Sequence, residues 1–174
     1  MHEHETEHFS PLHHASRFGY LNLARLLIDR AADVDSLMAG GWTPLRLASE
    51  HGYLDIAKLL VERDAQVNSR DERQETPLDS ASKHGYLDIA RFLIESGATV
   101  STRDNKGWTP IHKASIYGHL HVVKFLIERG IDLNVRSRDE ETPFFLASMN
   151  GKLDAVRFLI DQSAGNQNLQ SGGA

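Results

Sequence analysis

The chain has 174 residues, of which 40% are hydrophobic and 25% are charged, and its formal net charge is −5. These values are typical of a folded soluble protein. Basic and acidic residues are interleaved along the sequence, whereas a nucleic-acid binder usually has a cluster of basic residues. No apolar run approaches the roughly 20 residues of a membrane-spanning helix. The chain has no cysteine, which excludes disulfides and favours an intracellular, cytoplasmic location.

The first predicted segment, residues 1–6, is a His- and Glu-rich tail that we expect to be disordered. Met1 to Glu7 resembles neither a secretory signal nor a transit peptide. His4-Glu-Thr-Glu-His8 matches the H-E-x-x-H motif of zinc proteases, but it precedes the first predicted helix and has no apolar face to bury. Metal scavenging by this tract and a tag remnant both stay open, and we expect no catalytic residue, cofactor or built metal site.

A repeat of 33 residues organises the rest of the chain. A Ser-Pro or Thr-Pro dipeptide followed by an apolar residue recurs at this spacing, and an alanine-serine pair and a glycine keep the same register. The prolines are Pro11, Pro44, Pro77, Pro110 and Pro143. Five units therefore cover residues 7–39, 40–72, 73–105, 106–138 and 139–171.

Each unit has the pattern of two short helices and an extended hairpin. Ser or Thr before Pro predicts an N-cap followed by proline at the first helical position. The recurring glycine predicts the end of that helix, because the residue there adopts a left-handed conformation. In the second unit, apolar residues at helical spacing from Leu54 to Val61 predict the second helix.

These features resemble the ankyrin repeat family. Its signature is matched by Trp42-Thr-Pro-Leu45, Leu47-Ala-Ser49, His51-Gly52, Ile56-Ala-Lys-Leu-Leu60 and Val67-Asn68. The resemblance covers roughly residues 7–164 and implies one all-α solenoid domain with two helices and a β-hairpin loop per repeat. Stacked units of this kind bury a continuous apolar core that no single unit could form.

Two positions depart from the family pattern. The glycine that ends second helices is present as Gly97 and Gly130 but is replaced by Ala31, Asp64 and Ser163. If those three residues keep a left-handed backbone, each Ala or Ser costs on the order of 1 kcal/mol.

The second departure concerns the family's histidine after Pro-Leu, which ties helix to hairpin. It is present as His13 and His112 and is replaced by Arg46, Asp79 and Phe145. We expect these replacements to point toward the groove and to serve binding. His13, His14 and His8 could instead form a metal cluster, although the tie explains His13 more simply.

The outer surface of the second helices carries a repeated charge pattern. A cation stands at the same position in every unit, at Arg25, Lys58, Arg91, Lys124 and Arg157. An acid follows four residues later, at Asp29, Glu62, Glu95, Glu128 and Asp161. This spacing predicts ion pairs along each helix that keep the surface solvated.

The last unit departs most from the pattern. We expect its second helix to end near Gln162 and residues 165–174, rich in Gly, Asn and Gln, to form a flexible tail. The first helix of this unit carries Phe144, Phe145 and Leu146, which is an apolar composition for a terminal unit. Either this surface extends the binding site, or the chain is part of a longer array.

The resemblance implies that a partner protein lies along a concave face formed by hairpin tips and first helices. Trp42 and Trp108 occupy the same tip position in units 2 and 4, where an aromatic side chain either anchors a partner or packs on its neighbouring hairpin. The predicted partner-binding residues are Phe9, His14, Trp42, Arg46, Leu47, Glu50, His51, Arg73, Glu75, Asp79, Ser80, Lys83, Lys106, Trp108, Lys113, Ile116, Tyr117, Glu141, Phe145 and Leu146.

We therefore expect a monomeric, non-enzymatic module that binds another protein, without a cofactor, nucleic acid or membrane insertion. Two alternatives stay open: a regulatory or targeting segment of a larger effector or signalling protein, and an engineered ankyrin binder or scaffold. The apolar last unit motivates the first, and the regular spacing with no cysteine permits the second. A metal-dependent enzyme built on the N-terminal histidines is the remaining alternative.

Overall fold

A computed structural model describes the backbone of residues 9–171 and the side chains of residues 9–163. The tail predicted over residues 1–6 lies outside the described residues. Within them, ten helices follow one another in five pairs, as the repeat predicts. They are α1 Pro11–Phe18, α2 Leu21–Asp29, α3 Pro44–His51, α4 Leu54–Val61, α5 Pro77–His84, α6 Leu87–Glu95, α7 Pro110–Tyr117, α8 Leu120–Glu128, α9 Pro143–Met149 and α10 Leu153–Ser171.

The first helix of each pair begins at the predicted Ser-Pro or Thr-Pro. The hydroxyl of Thr43, for example, accepts a hydrogen bond from the backbone N–H of Arg46 at 3.2 Å. Gly52 ends the same helix with φ at 84°. The left-handed backbone favours glycine here, and a Cβ would stand 2.8 Å from the ring of Tyr86 in the next unit, so a larger residue would also have to displace that ring.

Stacking of the units produces the core. The largest fully buried side chains include Leu12, Leu45, Leu78 and Ile111, one from the first helix of each of the first four units. Neighbouring first helices contact one another much more extensively than neighbouring second helices do. The first helices therefore lie on the inner side of a curved stack, which is the architecture that the repeat predicts.

The charges of the outer surface pair differently from the prediction. No ion pair at the predicted spacing within a second helix forms among the described side chains; instead Arg63 pairs with Asp29 of the preceding unit at 3.0 Å. The guanidinium of Arg91 lies 4.6 Å from the ring centre of Phe125 in the next unit. The ammonium of Lys124 likewise lies 5.2 Å from the ring centre of Phe158, so two of the five repeated cations pack on an aromatic ring of the next unit.

The hairpins are tight turns rather than β-ladders. Among the described residues, the one β-bridge joins Met38 and Trp42. Each later hairpin has a backbone hydrogen bond in the same register, such as Asp71 N–H to Glu75 O at 3.1 Å and Asp104 N–H to Trp108 O at 2.9 Å. The predicted hairpin position is correct, but the loops are too short to form strands.

Two of the three residues that replace the glycine at the end of a second helix keep the left-handed conformation. Ala31 has φ of 62° and Asp64 has φ of 66°. Ser163 does not keep it, because α10 continues to Ser171, and the Ser163 hydroxyl donates to the Leu159 carbonyl one turn earlier at 2.8 Å. The predicted end of this helix near Gln162 is wrong too, because α10 also covers residues 165–171 of the segment that the sequence predicts to be a flexible tail.

Candidate functional site

The hairpin tips form a continuous row along the inner face, which we define as the hairpin tips together with the first helices. Backbone hydrogen bonds of 3.0 Å join successive tips, from Glu72 N–H to Gly40 O and from Asn105 N–H to Arg73 O. A third bond of the same length, from Arg138 N–H to Lys106 O, continues the row. Each tip is therefore held by its neighbour as well as by its own turn.

A short polar residue four positions before each later tip fixes the turn. Asp71 Oδ1 accepts from the backbone N–H groups of Arg73 and Glu75 at 2.9 and 2.7 Å. Asp104 makes the same pair of bonds in the next unit, and the hydroxyl of Ser137 does so in the last. These residues are not among the predicted ones, although their spacing of one repeat could have revealed them.

The two family histidines tie each first helix to the hairpin of the next unit, as the resemblance implies. His13 Nε2 donates to the carbonyl of Trp42, and His112 Nε2 donates to the carbonyl of Glu141, both at 3.1 Å. Burial lowers the pKa of both imidazoles. The same imidazoles accept from the N-cap backbone through Nδ1, so both ring nitrogens are used and neither is available to a metal.

Arg46 replaces this histidine in unit 2 and makes a different tie. Its guanidinium lies 3.1 Å from Asp71 and 2.7 Å from Glu75, both in the next hairpin. Only 3% of the Arg46 side chain is exposed. The prediction that Arg46 points toward a partner is therefore wrong, because two carboxylates of the next hairpin hold its guanidinium within the stack.

Glu75 connects this pair to a second cation, Lys113 of unit 4. The Lys113 ammonium bonds Glu75 and also lies 2.6 Å from Asp104. Burial opposes ionisation of Glu75, but the hydrogen bonds from Lys113 and Arg46 outweigh it and lower the pKa of Glu75 to about 2. Burial likewise disfavours the Lys113 ammonium, but its bonds to the two carboxylates raise its pKa. We call this chain of five groups, with Asp71 at its start, the charge ladder.

Asp79 replaces the histidine in unit 3 and makes no tie to the next hairpin. Its Oδ2 accepts from the backbone N–H and the hydroxyl of Thr76, both at 2.8 Å. Its Oδ1 is buried without a hydrogen-bond partner, and burial raises the pKa of Asp79 to about 6. The prediction that Asp79 points toward a partner is also wrong, because the side chain turns back to cap its own helix.

The two tip tryptophans are half-buried and have different neighbours. The Arg46 guanidinium lies 4.4 Å from the Trp42 ring centre. The Trp108 indole N–H donates to Glu141 of the next tip at 2.8 Å, and the ammonium of Lys106 lies 4.9 Å from its ring centre. Both side chains thus contact the scaffold, and each retains an accessible part on the inner face.

A separate cluster of charged side chains, Glu50, Lys83 and His84, lies one helical turn beyond the charge ladder. Glu50 Oε1 accepts from Lys83 at 3.2 Å and from the imidazole of His84 at 2.9 Å, so it links units 2 and 3. Burial opposes the charge of Glu50, but the hydrogen bond from His84 and the charge of Lys83 outweigh it and lower the pKa of Glu50. His51 donates through Nδ1 to the Leu47 carbonyl at 3.0 Å.

Two of the pockets lined by described residues open on the inner face. The larger, of about 480 Å³, lies between the tips of units 3 and 4. Asp104 and Asn105, which are not among the predicted binding residues, line part of it. The rest of the lining consists of seven predicted binding residues, Arg73, Glu75, Lys83, Lys106, Trp108, Lys113 and Tyr117. The smaller, of about 350 Å³, lies at unit 2 and brings together Trp42, Leu47, Glu50 and His51.

The family model for ankyrin repeats matches the chain in three copies, over residues 1–71, 69–137 and 99–171. The chain belongs to the ankyrin repeat family. Ankyrin repeats are generally protein–protein interaction modules and typically have no enzymatic activity. A comparison with curated proteins found no match.

The predicted binding residues of this ankyrin domain differ widely in exposure. Leu47, Ser80 and Leu146 are buried within the repeats, as are Arg46, Asp79 and Lys113, so these six leave little side-chain surface for a partner. The partly exposed ones are Phe9, Trp42, Glu50, His51, Glu75, Lys83, Trp108, Ile116 and Glu141. The exposed ones are His14, Arg73, Lys106, Tyr117 and Phe145.

The described part of the ankyrin stack contains no group of three His, Cys, Asp or Glu side chains that could hold a metal ion. The His4–His8 motif lies outside the described residues. None of the described helices combines the length and apolar character needed to cross a membrane.

Proposed function

We propose that this chain is a non-enzymatic module that binds another protein along its inner face. The row of hydrogen-bonded tips is the observation that supports this proposal most, because these bonds lie within the chain and form the surface without a partner. A preformed surface loses little conformational entropy on association, so a few side chains can dominate the affinity. An intracellular, cytoplasmic location and a monomeric state belong to the same proposal, and the lack of cysteine agrees with that location.

The aromatic tips supply the anchors in this proposal. Tryptophan and tyrosine are enriched among the residues that contribute most to binding energy. Trp42 and Trp108 stand at equivalent tips, each beside one of the two pockets. Contact with the scaffold does not conflict with this role, because a ring held by Arg46 or Glu141 has already lost its rotational freedom.

The proposal is tested with the double variant Trp42→Ala, Trp108→Ala. A partner identified by pull-down with the wild-type chain should bind this variant at least about 100-fold more weakly, since hot-spot truncations typically cost about 2 kcal/mol or more. The double variant should still unfold cooperatively on heating. The matched control is Arg25→Ala, Lys58→Ala on the second helices, which should bind normally. Unchanged affinity of both single tryptophan variants would remove the inner face as the binding site.

The apolar end of the stack favours a second candidate, a regulatory or targeting segment of a larger protein. Phe145 is 46% exposed, Met149 70% and Ile160 50%, although terminal repeats usually present a polar outer face. In this candidate function, the exposed apolar surface of unit 5 packs against another part of that larger protein. Sedimentation of the wild-type chain should then show concentration-dependent association that Phe145→Asn, Met149→Gln abolishes, whereas a strictly monomeric wild-type chain argues against this candidate.

A further inference from the structure

The pocket between the tips of units 3 and 4 has an unusual charge composition. Four cationic side chains and two carboxylates line its 480 Å³. The cations are Arg73, Lys83, Lys106 and Lys113, and the carboxylates are Glu75 and Asp104. The charge that a partner contacts in this pocket therefore depends on which of these six side chains are accessible and not already paired.

The carboxylates are already committed to partners within the stack. Only 15% of the Glu75 side chain is exposed, and its two oxygens bond Arg46 and Lys113. Asp104, 5% exposed, accepts through Oδ1 from two backbone N–H groups and through Oδ2 from Lys113. A cation of a partner would therefore have to displace an existing buried bond to reach either carboxylate.

Lys83 and Lys113 are paired with carboxylates, whereas the other two cations of the pocket are not, and Lys106 faces the Trp108 ring at 4.9 Å. Arg73 and Lys106 are exposed at the tips of adjacent units, and the bond from Asn105 N–H to Arg73 O holds those tips side by side. Neither side chain forms an ion pair with any other described residue. The accessible charge of the pocket is therefore positive, even though the charge ladder beneath it carries three carboxylates and two cations.

An apolar surface adjoins these cations. Tyr117 is 48% exposed and lines the same pocket, as does the indole of Trp108. An aromatic side chain next to a pair of cations can accept an apolar group while the cations accept a carboxylate. The two kinds of contact together fit a short segment in which an acidic residue stands close to an apolar one.

We propose that the occupant of this pocket is an acidic segment of the partner protein, whose carboxylate lies between Arg73 and Lys106 and whose neighbouring apolar side chain packs on Tyr117. This rests on the proposed function and specifies the chemistry of the partner. The segment is a peptide rather than a nucleic acid, because Glu72 is exposed directly beside Arg73 and the formal net charge of the chain is −5, so a continuous polyanion would be repelled.

The test selects a random peptide library displayed on phage against the immobilised full chain. The selected peptides should be enriched in Asp and Glu beside an aromatic or aliphatic residue. Their synthetic versions should bind at least about tenfold more weakly to Arg73→Glu, Lys106→Glu, which corresponds to about 1.4 kcal/mol. The matched control Arg25→Glu, Lys58→Glu changes the net charge equally on the outer surface and should bind as the wild type does.

The remaining outcomes contradict the proposal in distinguishable ways. Enrichment of basic or uncharged peptides, or equal weakening in both charge-reversal variants, would overturn the acidic segment while leaving the inner face as the binding site. Stronger capture of a single-stranded oligonucleotide than of the acidic peptides would assign the cations to phosphate instead. If no peptide is enriched, the acidic segment is overturned; if the double tryptophan variant also binds its partner normally, the proposed function fails with it.

Discussion

The three central units and the two terminal units share one sequence pattern but differ in what they bury. The first helices of the central units, α3, α5 and α7, each bury six residues, whereas α1 buries four and α9 three. Equivalent leucines on the second helices show the same contrast, because Leu59 is 2% exposed and Leu26 is 52% exposed. The repeated sequence pattern determines where the helices form, whereas the presence of a neighbouring unit on each side determines which of their side chains are buried.

The same contrast applies to charge. The charge ladder joins units 2, 3 and 4, and its Lys113 and Asp104 side chains are only 7% and 5% exposed. The pair of Arg63 and Asp29, which links units 1 and 2, is 37% and 52% exposed. Removal of one ion from a buried pair leaves an uncompensated charge, whereas an exposed pair is screened by water.

The largest effect should come from breaking the ladder. Lys113→Met removes the cation shared by Glu75 and Asp104, and the free energy of unfolding in urea should fall by about 3–5 kcal/mol. The matched change in the exposed pair, Arg63→Met, should cost less than about 1 kcal/mol. Losses of similar size in the two variants would show that the ladder is as well solvated as the outer surface.

Truncation of equivalent leucines tests the contrast in burial. Leu59→Ala should lower the free energy of unfolding by about 2–5 kcal/mol, because it leaves a cavity between stacked units. Leu26→Ala, at the same register in unit 1, should cost less than about 1 kcal/mol because half of that side chain is already in water. Urea titration of both variants measures the two free energies of unfolding. If both variants lose the same amount, Leu26 is more buried in the folded protein than its exposure of 52% indicates.

The third prediction concerns the helix-to-hairpin tie, which unit 3 lacks. Asp79→His should add a bond from Nε2 to the Trp108 carbonyl, 29 residues on, by analogy with His13 and Trp42. It also removes a buried carboxylate whose Oδ1 has no partner. The free energy of unfolding should rise by about 1–3 kcal/mol at about pH 7.

The pH dependence of this gain has a definite sign. The pKa of Asp79 is raised to about 6, so the wild-type chain is stabilised by its protonated form in acid and loses that contribution as the pH rises through about 6. Glu75, whose pKa is lowered to about 2, contributes in the opposite direction and is unchanged in the variant. The gain from Asp79→His should therefore shrink on acidification below about pH 6, as unfolding curves at several pH values would measure. Asp79→Asn, which removes the charge without adding the tie, is the control, and a gain that increases in acid would contradict the assignment.

The sequence predicts the fold well and the site only in part, for a physical reason. Helices and turns depend on local features such as Thr43-Pro44 and Gly52, which recur in every unit. The fate of a side chain on the inner face depends on the next unit. Lys113 bonds a carboxylate 38 residues earlier, and no local pattern separates it from the exposed Lys106. For the same reason the sequence predicts a binding role for Arg46 and Asp79, although both side chains make their contacts within the stack.

Backbone strain gives the smallest predicted effect and limits how far the central and terminal units differ. Ala31 in unit 1 and Gly97 in unit 3 occupy the same helix end, with φ of 62° and 93°. A Cβ at Gly97 would meet no atom within 4 Å, so Gly97→Ala should lower the free energy of unfolding only by the cost of a left-handed alanine, about 1 kcal/mol.

The reverse change, Ala31→Gly, should raise the free energy of unfolding by a similar amount, because it relieves the same strain. Calorimetry of the two single variants and of the combined variant should show opposite shifts that cancel. This equality should hold although one residue lies in a terminal unit and the other in a central one, since the strain belongs to a single residue and needs no neighbour. If Gly97→Ala costs several times more than Ala31→Gly gains, the central position affects the backbone as well as the side chains.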